Sequence, residues 1–178
     1  MTDAAEADLV VLVDVEDRPI GVAPKLKAHR DGSLHRAISV QLRDTSGRLL
    51  LQKRHGDKYH SGGLWTNTCC SHPRPGEGAD RAAQRRLMEE MGIACTLAPI
   101  FVTRYRAVLD NGMTEHEVVH CFGGLYGGEV RPDPSEVDGY AWIEPEELRI
   151  DVQRTPDRYS AWFRIYVRDH WPQITGSA

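Results

Sequence analysis

The chain has 178 residues, four cysteines and a formal charge of −4, a length that suits one domain able to bury its core without covalent staples. No apolar run is long enough to span a bilayer, and the acidic start MTDAAEAD lacks a signal peptide's basic and apolar regions, so a cytoplasmic protein with no membrane partner is expected. Net acidity without a basic stripe interleaved with aromatics argues against nucleic acid, so any anionic ligand needs a basic pocket built locally.

Residues 9–13 form a β-rich run, and a turn at 16–18 leads to a second apolar stretch at 20–22, which predicts an opening hairpin. Residues 25–35, KLKAHRDGSLH, put His29 and His35 on either side of an Asp-Gly turn, so a fold-back brings the two rings together. Residues 37–42 and 48–53 read as a hairpin turning at 44–47; Arg54 and Lys58 follow in KRHGDK, whose plain reading is a solvated edge. Residues 66–72 read as extended, where alternate side chains share a face. Cys70 and His72 then point one way, Cys69 and Ser71 the other.

Gly76, Glu77 and Gly78 break the chain before a helix with Ala79, Ala83, Leu87 and Met91 as its apolar stripe, and Gly92 ends it. Arg85 precedes Glu89 by one turn and Arg86 precedes Glu90, so each guanidinium neighbours an acid. Residues 95–107 are β-prone, 110–112 form a tight turn, and 115–126 return as a strand. Alternation places Glu115 and Glu117 on one face and His116 on the other; two carboxylates so close cost energy unless a cation or proton lies between them. The end of the chain reads as a strand at 137–143, a helix start at 145–148 and a final helix at 157–171 carrying Trp162, Ile165 and Tyr166. Cys69 and Cys70 are adjacent and cannot readily bridge, while Cys95 and Cys121 fall in predicted strands, so free thiols are expected.

The register of 71–93 resembles the Nudix box, G-x5-E-x7-R-E-U-x-E-E-x-G-U with U apolar: Glu77, Arg85, Leu87, Glu89, Glu90, Gly92 and Ile93 stand in place. Ser71 replaces the first Gly, and Arg86 replaces the first helical Glu. In Nudix hydrolases that Glu belongs to the acidic cluster holding the metal for attack by water; a guanidinium cannot ligate a cation but is suited to gripping phosphate. The box reads as kept scaffold with hydrolysis impaired. Just upstream, Asn67, Thr68, Cys69, Cys70, Ser71, His72 and Pro73 resemble the Asn-Ser/Thr-x-Cys-Gly/Ser-His-Pro signature of the type I isopentenyl diphosphate isomerases, a Nudix-fold family. Leu34, His35, Arg36, Ala37 and Ile38 resemble another run of that family, and the likeness extends from about Leu9 to Trp171.

The resemblance implies an α/β (α+β) fold with a mixed β-sheet sandwiched between helices, over residues 9–172, with a disordered segment at 1–8 and a flexible tail at 173–178. It implies metal ligation by His29, His35, His72, Glu115 and Glu117, a set suited to Mn²⁺, Zn²⁺ or Fe²⁺. Glu90, with the Cys70 backbone carbonyl, is the expected Mg²⁺ site beside the substrate's phosphates. Lys25, Arg54, Lys58 and Arg86 are the implied diphosphate contacts. Cys70 and Glu117 are the implied catalytic pair, with Tyr105 hydrogen-bonded to Glu117 and Trp162 lying over the substrate. A free cysteine titrates at about 8.5, and neighbouring cations are expected to lower that for Cys70. The implied substrate is an isoprenoid diphosphate, and a monomer is expected because no exposed heptad appears. Two other readings stay open: a Nudix hydrolase of a nucleoside diphosphate derivative, and a zinc-binding module in which Cys70, His29, His35 and His72 close a tetrahedral site.

Overall fold

A computed structural model describes residues 9–177; the disorder expected for residues 1–8 lies outside the described residues. The sheet is built around β3 (His35–Arg43), whose residues are buried on both faces apart from two half-buried arginines. Such a strand must sit in the middle of a covered sheet. On one edge β8 (Thr114–Leu125) runs parallel to it, with His35 opposite Glu117. Three strands share the other edge: β1 (Leu9–Val13) meets its start, β6 (Cys69–Ser71) its middle and β4 (Leu49–Arg54) its end, all antiparallel. The hairpin partners β2 (Pro19–Pro24) and β7 (Ala98–Val108), with β9 (Val137–Ile143) and the short β5 (Trp65–Thr66) on β4, complete one mixed sheet.

Alternation along the strands divides the core into two layers. Ile38, Val40, Leu42, Leu50 and Cys69 pack against α2 (Ala79–Met91) through Ala82, Ala83, Leu87 and Met91. Ala37, Leu49, Leu51 and Val119 pack against α3 (Pro145–Arg154), α4 (Ala161–Asp169) and α5 (Trp171–Thr175). The predicted sheet between helices is thus the observed one. Cys69 and Cys70 face opposite layers, as alternation requires.

Gly92 shows why the box ends on glycine. Its φ is +66°, its N–H caps α2 on the Met88 carbonyl, and a Cβ there would meet the Arg131 carbonyl oxygen at 2.5 Å. The Asp-Gly step after His29 has a related form: α1 (Lys25–Asp31) closes on left-handed Gly32, so the expected turn is a helix cap.

Three boundaries differ from the sequence reading. The single helix expected at 157–171 is broken, because Ser160 donates its N–H to the Trp65 carbonyl and Tyr159 bridges to Trp65. Pro172 then restarts the chain as α5, since proline cannot extend a helix already under way. Residues 173–175, expected in a flexible tail, belong to α5, with Ile174 1% exposed and the Thr175 carbonyl accepting from Arg43. Cys95 precedes β7 rather than lying in it; all four cysteines are free thiols.

Candidate active site

A cavity of about 500 Å³ opens over β3, and it gathers residues that are remote in sequence, among them Lys25, Arg54, Cys70, Arg86, Glu90 and Glu117. One half of it is a nest of histidines. His29 lies in the last turn of α1 and His35 opens β3, with ring centroids 4.8 Å apart and both side chains fully buried. Each Nδ1 faces a backbone carbonyl, Lys25 O at 2.7 Å for His29 and Ser33 O at 2.8 Å for His35. A carbonyl only accepts, so Nδ1 carries a hydrogen, and in the neutral ring Nε2 is left with the lone pair a metal needs.

Among the described residues neither Nε2 has a hydrogen-bond partner, although a Glu115 oxygen lies 3.5 Å from that of His29 and a Glu117 oxygen 3.4 Å from that of His35. With His72 Nε2 and one Glu117 oxygen they form a four-donor group whose atoms all lie within 4.8 Å of one another. Buried, partnerless nitrogen lone pairs beside a carboxylate fit a divalent ion. Burial pushes His72 down to about 4, although Glu117 opposes the shift, so its ring stays neutral and able to ligate.

Glu115 lies against that group, beside Glu117, without being one of its four donors. One of its oxygens is 3.5 Å from His29 Nε2 and the other 3.1 Å from His60 Nε2, and these three residues form a second donor group. Four of the five residues expected to share one centre form the first group, and Glu115 adjoins it through His29, which belongs to both. His60 was not legible: it falls between β4 and β5 in an irregular stretch without periodicity. Burial drives its ring down to about 2, helped by Arg54. Glu115 is raised by burial and by its neighbour Glu117. Burial pulls Glu117 the same way, yet His35 and His72 hold it well below the usual carboxylate range. Tyr105 donates to the second Glu117 oxygen at 2.7 Å, as the resemblance implied, because β7 and β8 pair these two residues directly.

Cys70 reaches the same cavity from β6, on the other edge of β3 from Glu117. Its thiol donates to Asn67 Oδ1 at 3.0 Å and sits 3.5 Å from Ser39 Oγ. The expected lowering by cations is corrected here: burial dominates and pushes the thiol up to about 12, with Ser39, Asn67 and Arg54 opposing weakly. Cys70 is a thiol. It belongs to neither donor group among the described residues, so the closed four-ligand zinc site with Cys70 is not formed.

The other half of the cavity is basic, and Lys25, Arg54, Lys58 and Arg86 all line it. Lys25, which opens α1, lies 5.4 Å from the Tyr59 ring centre. Arg54 donates to the Ser61 and His60 carbonyls and covers the Trp162 ring at 5.1 Å. Trp162 is 3% exposed and part of the core, so the structure puts a guanidinium where the sequence reading put the substrate. Lys58 and Arg86 both pair with Glu136, whose carboxyl burial alone would raise but which they hold down at about 2. Arg86 also donates to buried Glu90 at 2.7 Å, and Gln52 donates to the other Glu90 oxygen at 3.0 Å. Glu136 was missed because a lone loop acid carries no motif. The box's structural pairs are in place: Arg85 binds Glu77 through two nitrogens and Glu89 through a third.

This fold, with the box helix closing one layer and a cavity over β3, is that of the NUDIX domain, which matches residues 33–163. A protein of Deinococcus radiodurans shares it with a TM-score of 0.76 over 90% of this chain and 97% of that one; at 18% identity the likeness shows the fold alone. The isopentenyl-diphosphate Delta-isomerase 1 of Aromatoleum aromaticum is 54% identical over 90% of either chain, and the isopentenyl-diphosphate Delta-isomerase of Streptomyces coelicolor is 49% identical over 98% of this chain and 90% of its own. The chain belongs to the isopentenyl-diphosphate Delta-isomerase family, the isomerases of Nudix fold. The hydrolase and zinc-module readings are not favoured. Among the described residues no helix is long and apolar enough to cross a membrane.

Proposed function

We propose that the chain interconverts isopentenyl diphosphate and dimethylallyl diphosphate by adding a proton at one carbon and removing one at another, through a tertiary carbocation. The observation that carries this is the placement of Cys70 and Glu117 on strands flanking β3, both lining one cavity. A carbon skeleton held over β3 then has a protonated thiol towards one edge and a carboxylate with its tyrosine towards the other. Acid and base work on carbon needs that opposition, with water kept out so that the cation is not quenched.

Cys70 supplies an undissociated proton, and the Tyr105 hydroxyl passes protons to and from Glu117. Lys25, Arg54, Lys58 and Arg86 hold the diphosphate and fix the alkene between them, which is orientation rather than bond making. The part the resemblance gives Trp162, lining the cation, requires Arg54 to turn from its ring towards the phosphates. His29, His35, His72 and Glu117, joined by Glu115, would hold one Mn²⁺ or Zn²⁺ ion, and Glu90 with the Cys70 carbonyl would hold one Mg²⁺ beside the diphosphate once Arg86 releases the carboxylate. When bound, the first ion supplies fixed positive charge that orders the two carboxylates, and the second neutralises the phosphates.

Proton NMR of isopentenyl diphosphate in D₂O with the enzyme and both metals tests the reading. Dimethylallyl diphosphate carrying deuterium at carbon, with no phosphate released, is expected. Phosphate without rearrangement would return the chain to the hydrolases.

A further inference from the structure

Glu115 poses a question that the metal centre alone does not answer. It is a buried carboxylate beside the four-donor group, yet its oxygens are directed to two different histidines. His60 is the nearer, with Nε2 at 3.1 Å from Oε1, while His29 Nε2 lies 3.5 Å from Oε2. The His60 side chain is 6% exposed, stacked on the His29 ring at 5.3 Å and set edge-on to Trp162 at 5.9 Å, so it has little freedom to turn away.

His60 also differs from the two ligating histidines in what holds it. Their Nδ1 atoms face backbone carbonyls at 2.7 and 2.8 Å, which fixes Nε2 as a lone pair. Among the described residues His60 Nδ1 meets the Ser61 hydroxyl, at 3.4 Å, a group that can donate to it. Accepting at Nδ1 leaves the hydrogen on Nε2, facing the Glu115 carboxylate. His60 is therefore built as a donor to a carboxylate, whereas His29 and His35 are built as ligands.

We infer that His60 is a positioning residue for the metal centre: it holds the outer oxygen of Glu115 so that the inner oxygen stands beside His29, ready to complete the coordination of a divalent ion. This rests on the metal reading given above. The shared His29 explains why the two donor groups form one site, since its single Nε2 lone pair cannot serve two ions at once. Outer partners of ligating carboxylates set metal affinity by about 10- to 100-fold when removed.

The test is Mn²⁺ affinity, measured by chelator competition on metal-stripped full-length protein, for the parent, His60→Ala, His60→Gln and His35→Ala. His60→Ala should bind Mn²⁺ about 10- to 100-fold more weakly, and His60→Gln, which keeps a side-chain N–H, should recover most of that loss. Parent-like binding by His60→Ala overturns the inference and leaves the metal reading intact. A glutamine variant as weak as the alanine variant also overturns it, because the imidazole nitrogen itself would then be the ligand. Inorganic pyrophosphate binding and near-ultraviolet circular dichroism, measured alongside, should match the parent in His60→Ala; loss of either makes His60 a packing residue and overturns the inference. A parent that takes up no Mn²⁺, or a His35→Ala variant that binds like the parent, overturns the metal reading and the inference with it.

Discussion

The two halves of the cavity are prepared for ligands in opposite ways. In the histidine half, the outward nitrogens of His29 and His35 are tied to backbone carbonyls, and their inward nitrogens are buried without partners. In the basic half, Lys58 and Arg86 share Glu136, Arg86 also grips Glu90, and Arg54 is bonded to two carbonyls. One half therefore offers buried nitrogens suited to an added ion, while in the other Lys58 and Arg86 are held by acids and must exchange partners when a diphosphate arrives. Buried lone pairs without partners are costly, whereas ion pairs that trade one anion for another change little in free energy. Metal should thus bind as a structural commitment, and substrate as a reversible exchange.

The largest effects belong between the halves. Cys70→Ala should lower kcat by at least about 10²- to 10⁴-fold, the range for a lost general acid or base, while metal content stays at the parental level. Isotope uptake at carbon and metal analysis on the same sample check both parts; loss of metal would mean that Cys70 is a ligand after all. Glu117→Gln should remove turnover to a similar extent and also weaken the ion, because that carboxylate belongs to both sets. Next comes the histidine half itself: His35→Ala should weaken Mn²⁺ binding by roughly 100-fold or more, with pyrophosphate affinity in the basic half preserved. If both affinities fell together, the two halves would not be independent.

How much of this could be read beforehand follows the range of each contact. The sheet, the box helix and the facing of Cys70 with His72 depend on local period, and alternation placed them. The Glu115 and Glu117 pair was visible for the same reason. His60, Glu136 and the Arg54–Trp162 contact were not, because each partner lies far away in sequence and no local pattern names it. The direction of the Cys70 shift failed differently: cations near the thiol were foreseeable, but the depth of its burial was not, and burial prevailed. The break at Ser160 depended on a hydrogen bond to Trp65, which helix propensity cannot announce.

The halves should also separate by pH. In the unfolded chain a histidine titrates near 6.5, whereas folding holds His72 at about 4 and His60 at about 2. Between those values the unfolded chain binds more protons, so metal-free protein should lose stability as pH falls from about 6.5 towards 4, with His60 extending the loss below that. Glu117, held low, adds to the loss on acidification, while Glu115, held high, works against it. Denaturant unfolding of EDTA-treated protein at pH 7, 5.5 and 4.5 measures the slope. His72→Gln should flatten it; an unchanged slope would mean that the histidine half does not control acid sensitivity. Metal affinity belongs to the folded chain, so His72 should begin to cost it only as pH approaches about 4, since only a neutral imidazole ligates.

The smallest effect should come from Glu136, and its sign is the informative part. Its carboxylate occupies Lys58 and Arg86, two of the four cations offered to the diphosphate, so an arriving anion must displace it. Glu136→Gln keeps the shape and removes the charge. Without divalent ions, inorganic pyrophosphate should then bind a few-fold more tightly, on the order of 1 kcal/mol for a partly exposed pair, as isothermal titration calorimetry can resolve. Weaker binding instead would mean that the carboxylate orients Lys58 and Arg86 more than it competes for them. The basic half would then be as firmly preset as the histidine half, and the contrast between them would disappear.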